Sequence, residues 1–235
     1  MQQDLNEKYC SMIRQAREMA LGRRDFPDYT FPESIPEEGE VYRRAMLYAA
    51  MAHEGVCRKG KKVPFIVHPV EVATIVENIL KWQRGSIGDE EYKIMAAAVL
   101  HDVIEDTSHT YEDIKQEFGE FIADTVAHES EDKRKDLPPA NTWKLRKQEA
   151  IAHINHTPVY VRAIALGDKL SNLRDLIADY EAEGNAVWDV FNQHDPAEHS
   201  WYYSNMANAF KDFKGSGYYE EYMQIGAKVF GWETE

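Results

Sequence analysis

Apolar residues in this chain recur at intervals of three and four, and no pair of alternating segments is joined by a tight turn. Val41, Ala45, Tyr48, Ala49 and Ala52 form one such stripe, and Leu166, Leu170, Leu173 and Ile177 form another. A stripe of that period lies along one face of a helix, so the spacing predicts an all-α fold. No internal repeat is visible. Helices are expected over 3–22, 41–52, 69–82, 89–101, 110–118, 119–128, 141–155 and 158–180, with two or three more, rich in aromatic residues, across 185–233. Thr110 and Asp113 have the spacing of a capping box. Val159–Leu166 is rich in β-branched residues, but the later leucine spacing assigns it to one long helix. Proline and charge place loops at 25–38 and 129–140, and Gly55, Gly60, Pro64 and Pro69 make the stretch between them an irregular connection. The division expected is an N-terminal extension over 1–40, a core over 41–180 and C-terminal helices over 181–235 packed on that core as one domain.

The longest apolar run, Ile94–Leu100, is far short of the roughly 20 residues of a membrane span. Charges at Asp4, Glu7, Lys8, Arg14, Arg17 and Glu18 leave no apolar leader core. Cys10 and Cys57 are too few for a disulfide framework. These features point to a cytoplasmic protein. A net charge of −14 argues against a broad nucleic-acid surface. Yet ten of the 27 lysines and arginines fall in two short stretches. One is Arg58, Lys59, Lys61 and Lys62; the other is Lys133, Arg134, Lys135, Lys144, Arg146 and Lys147. Such stretches are either solvated faces or a local field suited to a small polyanion.

The apolar run ends in His101-Asp102. An ionised Asp is costly to bury unless it is paired or bound to a metal. His53 and Asp168 also follow apolar helical stretches. Two imidazoles and two carboxylates make a mixed nitrogen and oxygen set suited to Mn²⁺, Fe²⁺, Co²⁺ or Zn²⁺ rather than Ca²⁺. Glu105 and Asp106 stand three and four residues past Asp102, on the same side of a continuing helical turn. The segment therefore reads as metal ligands followed by a pair able to orient a water or take its proton. His68, beside Pro69, reads as a hydrogen-bonding buttress, and the aromatic set from Trp188 to Phe213 reads as core rather than as a base-stacking surface.

In this order, Ala52-His53, Arg58-Lys59-Gly60, Pro64-Phe65-Ile66-Val67-His68-Pro69, Leu100-His101-Asp102-Val103-Ile104-Glu105-Asp106-Thr107, Phe118-Gly119 and Gly167-Asp168-Lys169-Leu170-Ser171-Asn172-Leu173-Arg174 resemble the HD-domain metal-dependent phosphohydrolases, specifically the hydrolase domain of the RelA/SpoT-type alarmone enzymes. The resemblance covers about 41–180 and is most similar to a stand-alone small alarmone hydrolase. It implies an HD-domain helical bundle with additional N- and C-terminal helices. The activity it implies is hydrolysis of the 3′-diphosphate of guanosine tetra- or pentaphosphate to pyrophosphate and GDP or GTP. It further implies a divalent ion, commonly Mn²⁺, held by His53, His101, Asp102 and Asp168. Glu105 and Asp106 match the water-activating pair, and Arg58, Lys59 and Asn172 match nucleotide-holding positions. Lys133 and Arg146 are further candidates for phosphate binding. The chain departs from the family at Phe65, where Tyr is usual, at Gly167, where Ala is common, at His128, where an apolar residue is expected, and in the spacing at Lys61, Lys62 and Val63. Two other readings keep the fold: a phosphohydrolase of another nucleotide, a dinucleotide such as NADPH or a phosphorylated metabolite, and a non-catalytic nucleotide-sensing module.

Overall fold

The computed structural model describes residues 39–134 and 136–233. The helix expected over 3–22 and the loop over 25–38 lie outside the described residues. The described residues are helical throughout, joined by turns and short 3₁₀ segments, with a single isolated β-bridge between Cys57 and Pro64. The helices are α1 (Glu40–Ala52), α2 (Val67–Arg84), α3 (Asp89–Leu100), the one-turn α4 (Val103–Asp106), α5 (Tyr111–Phe118), α6 (Glu120–Glu129), α7 (Pro139–Ile154), α8 (Val159–Glu183), α9 (Pro196–Ala209) and α10 (Gly217–Phe230). Among the described residues no helix is long and apolar enough to cross a membrane.

Local chemistry explains the boundaries. Thr110 caps α5 by accepting from the Asp113 amide, and the Asp113 carboxylate accepts from the Thr110 amide at 2.8 Å, as their spacing predicts. Pro139 opens α7 because its missing N–H would be unpaired there in any case. The β-branched start of α8 is helical, since Val161 and Ile164 are buried on the face that continues through Leu170 and Leu173.

Two apolar clusters hold the helices together. The first joins α1, α2, α3 and α6 around the fully buried run Ile94–Leu100. The second joins α7–α10 around Phe210, Phe213 and Tyr222. They interlock: Ile75 and Ile79 of α2 belong to the second cluster, while Ile164 of α8 belongs to the first. Each such aliphatic side chain contributes about 1.5–3 kcal/mol on burial.

The crossing of α2 over α8 sets the site. At Gly167 an added Cβ would meet Val72 Cγ1 and the Val72 carbonyl oxygen, each at 3.2 Å. Glycine there lets the two backbones approach closely. One turn from Val72 stands His68, and directly after Gly167 stands Asp168.

Candidate metal centre and phosphate pocket

His68 begins α2, His101 and Asp102 follow α3, and Asp168 lies in the middle of α8. The chain stays helical past Asp102, whose carbonyl accepts from the Asp106 amide at 2.8 Å. Glu105 and Asp106 therefore share its face, as their spacing predicts.

The structure brings together one donor atom each of His68, His101 and Asp168, all buried and within 4.8 Å of one another. Asp102 adjoins them, with Oδ2 3.1 Å from His101 Nε2 and 3.5 Å from His68 Nε2. His68 Nε2 is 3.2 Å from Asp168 Oδ1. The tautomers follow from the remaining ring nitrogens. Ser171 Oγ donates its one proton to Glu71 Oε2 at 2.6 Å, so it accepts from His68 Nδ1 at 2.8 Å. His101 Nδ1 donates to the Ala98 carbonyl at 2.8 Å. In the neutral rings both Nε2 atoms then turn lone pairs toward two carboxylates, and His101 Nε2 is buried without a hydrogen-bond partner. Four electron-rich donors at one buried point require a cation. Protonation is one answer: burial alone would lower the basicity of His101, but Asp102 and Asp168 outweigh it and raise its pKa to about 10. Burial likewise opposes ionisation of Asp102, yet His101 and His68 hold its carboxyl well below the usual range. A divalent metal answers the same demand without the proton, so the donor set fits one.

His53 lies outside the three donors grouped within 4.8 Å, yet it is buried beside them: Asp102, Asp106, His101 and His68 are its electrostatic neighbours, and its Nε2, like that of His101, has no hydrogen-bond partner. Its ring lies 4.6 Å from that of Phe65. His68, read from the sequence as a buttress, stands in the cluster beside His101. His53 is the C-cap of α1, and the α2–α8 crossing brings His68 Nε2 to 3.2 Å from Asp168.

Glu105 accepts from the Glu131 amide at 3.0 Å, and Lys133 Nζ lies 3.3 Å from it and also bonds Asp106. Burial, then the neighbouring Asp102 charge, raises the Glu105 pKa.

Beside this centre lies a cavity of about 300 Å³ whose wall includes Arg58, Lys59, Lys61, Lys147, Lys169 and Asn172. The Cys57–Pro64 bridge closes the loop that carries Arg58, with the Arg58 amide donating to the Val63 carbonyl at 2.8 Å. Arg58 donates through Nη2 to Asp175 at 2.6 Å and to Asn172 Oδ1 at 3.1 Å. Asn172 Nδ2 in turn donates to Asp168 Oδ1 at 2.6 Å, and Lys169 pairs with the other oxygen of Asp168. Lys59 Nζ lies over the Phe191 ring at 5.2 Å. Arg58, Lys59 and Asn172 are thus assembled on one wall.

Lys133 and Arg146 are not. Lys133 sits on the Glu105–Asp106 pair, and Arg146 donates to Glu131 at 2.8 Å and lines a different cavity. The loop between α6 and α7 turns them away from the Arg58 wall. Lys147, Lys169, Phe191, Tyr202 and Tyr203 also line this cavity, although Lys147 reads in the sequence only as part of a basic stretch, Lys169 as part of the family motif and the three aromatic residues as core. Their shared feature, clustering on α7–α9, shows only once these helices fold back on α2.

An all-helical fold holding a buried His and carboxylate centre at the end of an apolar helix is that of the HD domain. The HD-domain profile matches residues 45–195, and the chain belongs to that family. Among curated relatives, the guanosine-3′,5′-bis(diphosphate) 3′-pyrophosphohydrolase MESH1 of Xenopus tropicalis is 36% identical over 143 residues, spanning 60% of this chain and 73% of that protein. The bifunctional (p)ppGpp synthase/hydrolase SpoT of Escherichia coli is 38% identical over 146 residues, 60% of this chain but 19% of that protein. A solved structure described as a metazoan ortholog of SpoT that hydrolyzes ppGpp matches with a TM-score of 0.57 over 86% of this chain and 99% of that one; at 23% identity it supports the fold.

Proposed function

We propose that this chain is a metal-dependent pyrophosphohydrolase that removes the 3′-diphosphate of guanosine tetra- or pentaphosphate. One observation carries the reading: the Nε2 lone pairs of His68 and His101 converge with Asp102 and Asp168 at one buried point, with Glu105 and Asp106 alongside. The names of the MESH1 and SpoT relatives support the substrate. In this reading His53, His101, Asp102 and Asp168 hold a divalent ion, preferentially Mn²⁺, with His68 against Asp102 and Asp168 beside it. A cytoplasmic setting belongs to the same reading, since the substrate is a nucleotide.

When bound, such an ion lowers the pKa of a water and draws charge from a phosphoryl oxygen. The protein does the rest. Water adds to the phosphorus attached to the 3′ oxygen, and the P–O3′ bond breaks to leave GDP or GTP and pyrophosphate. Glu105, made more basic by burial and by Asp102, takes the water's proton together with Asp106, which balances the proton gained by the leaving 3′ oxygen. Lys133 moves off the two carboxylates to free them. Arg58, Lys59, Lys147 and Lys169 face the phosphates.

The test is pyrophosphate release from ppGpp by purified protein with Mn²⁺, run beside NADPH and a panel of phosphorylated metabolites. Release from ppGpp, lost in a folded Asp102→Ala variant, is the expected result. Activity confined to another member of the panel overturns the substrate, and no activity with any divalent ion overturns the reaction.

A further inference from the structure

Away from the catalytic centre, His128 in the last turn of α6 faces His153 in the last turn of α7. Their Nδ1 and Nε2 atoms are 3.2 Å apart, with ring centroids 5.2 Å apart and planes inclined by 28°. Two arrangements give such a separation: an N–H···N hydrogen bond or a shared cation. A tetrahedral ion with metal–nitrogen bonds of about 2.0–2.1 Å holds its two nitrogens about 3.3 Å apart.

The surroundings supply oxygen donors. The pair stands at a cavity of about 240 Å³ whose wall includes Glu131, Asp132 and Glu149 together with Arg146. Glu149 lies one turn before His153 on the same helical face, where it now bonds Arg134 at 2.7 Å. The two helix ends make few direct contacts with each other. Nothing in the hydrolytic reaction uses either histidine.

We propose that His128 and His153 form a second metal site, for a tetrahedral transition-metal ion of the zinc type, with water or Glu149 completing the coordination. The ion clips the C-terminal end of α6 to that of α7. The loop between these helices carries Glu131 and Lys133, which hold Glu105 and Asp106. A clip of this kind fixes that loop without touching the catalytic donors.

The experiment uses the full chain, stripped with a chelator and titrated with Zn²⁺, with bound metal counted and the melting temperature followed. The wild type is expected to bind one more equivalent of Zn²⁺ than the His128→Gln/His153→Gln double variant. Asp102→Ala should lose the catalytic equivalent and keep this one. Zn²⁺ should also slow proteolysis within 130–138 in the wild type and not in the double variant. Should the double variant misfold, the two single variants replace it, and loss of the extra equivalent in either supports the site. Equal Zn²⁺ stoichiometry in wild type and variants overturns it and leaves a hydrogen-bonded pair. Pyrophosphate release with Mn²⁺ alone is expected to be the same in the double variant, so failure here is distinct from failure of the proposed reaction.

Discussion

With its Nδ1 proton committed to Ser171, His68 offers a lone pair to the same point as His101, and removing that ring leaves Asp102 and Asp168 under-compensated. His53→Ala, which removes a buried, unpartnered Nε2 beside the donors, is expected to abolish metal retention, and His68→Ala to weaken it. Metal analysis of the two purified variants checks this, and full retention in His53→Ala would refute the ligand assignment. Because an ion replaces the proton on His101, metal binding should release that proton. Affinity is then expected to rise about tenfold per pH unit between pH 6 and 8, where the ring is protonated without metal. Calorimetry in buffers of different ionisation enthalpy reads the proton directly. Glu129 shows the reverse sign. Burial raises its pKa to about 8, so the folded chain holds a proton that the unfolded chain has lost above about pH 4.5. Stability therefore falls as pH rises from about 4.5 to 8. Glu129→Gln should remove that decline, gaining roughly 2–4 kcal/mol at pH 8.5 and almost nothing at pH 4, as urea denaturation at the two pH values will show. The acid character of Asp102, Glu105 and Asp106 was legible from their spacing. That His68 also reaches the donors was not, because it depends on the direction in which α2 leaves its loop.

At the scale of elements, the close crossing of α2 and α8 fixes how far His68 stands from Asp168. Gly167→Ala gains about 1 kcal/mol in helix propensity. It also presses a methyl against the Val72 carbonyl, which as backbone yields little, and crowding of this kind costs about 1–3 kcal/mol. The expected balance is a loss of about 1 kcal/mol with a fall in kcat larger than the change in KM, since the donors are spread. A stabilised, fully active variant would show that the approach is not needed. Periodicity and caps identified α1–α3 and α5–α8 to within about three residues: the stripe from Val41 is α1, and Thr110 with Asp113 opens α5. The Cys57–Pro64 bridge had no such signal, because one rung of pairing leaves no alternation. The loop between α6 and α7 was visible as a loop, but its path, which separates Lys133 and Arg146 from Arg58, is set by Glu131 pairing with Arg146 and Lys147.

For the molecule as a whole, the exchange of Ile75, Ile79 and Ile164 between the two apolar clusters is expected to make them unfold together. Calorimetry should show one transition, and removing residues 184–235 should leave a chain that exposes α8 and binds apolar dyes; a folded, active fragment would contradict this. The aromatic C-terminal helices read correctly as core for Phe210 and Phe213, yet Phe191, Tyr202 and Tyr203 also reach the cavity wall, a double use that linear spacing does not display. The contact between Arg58 and Asp175 has a consequence of its own. The arginine that a phosphate must reach is already satisfied by an internal carboxylate, so the protein carries its own competitive inhibitor. A ligand enters by displacement, which favours dense charge such as a diphosphate over a lone carboxylate or a diester. Asp175→Asn is therefore expected to lower KM for singly phosphorylated compounds more than for diphosphates, trading discrimination for affinity.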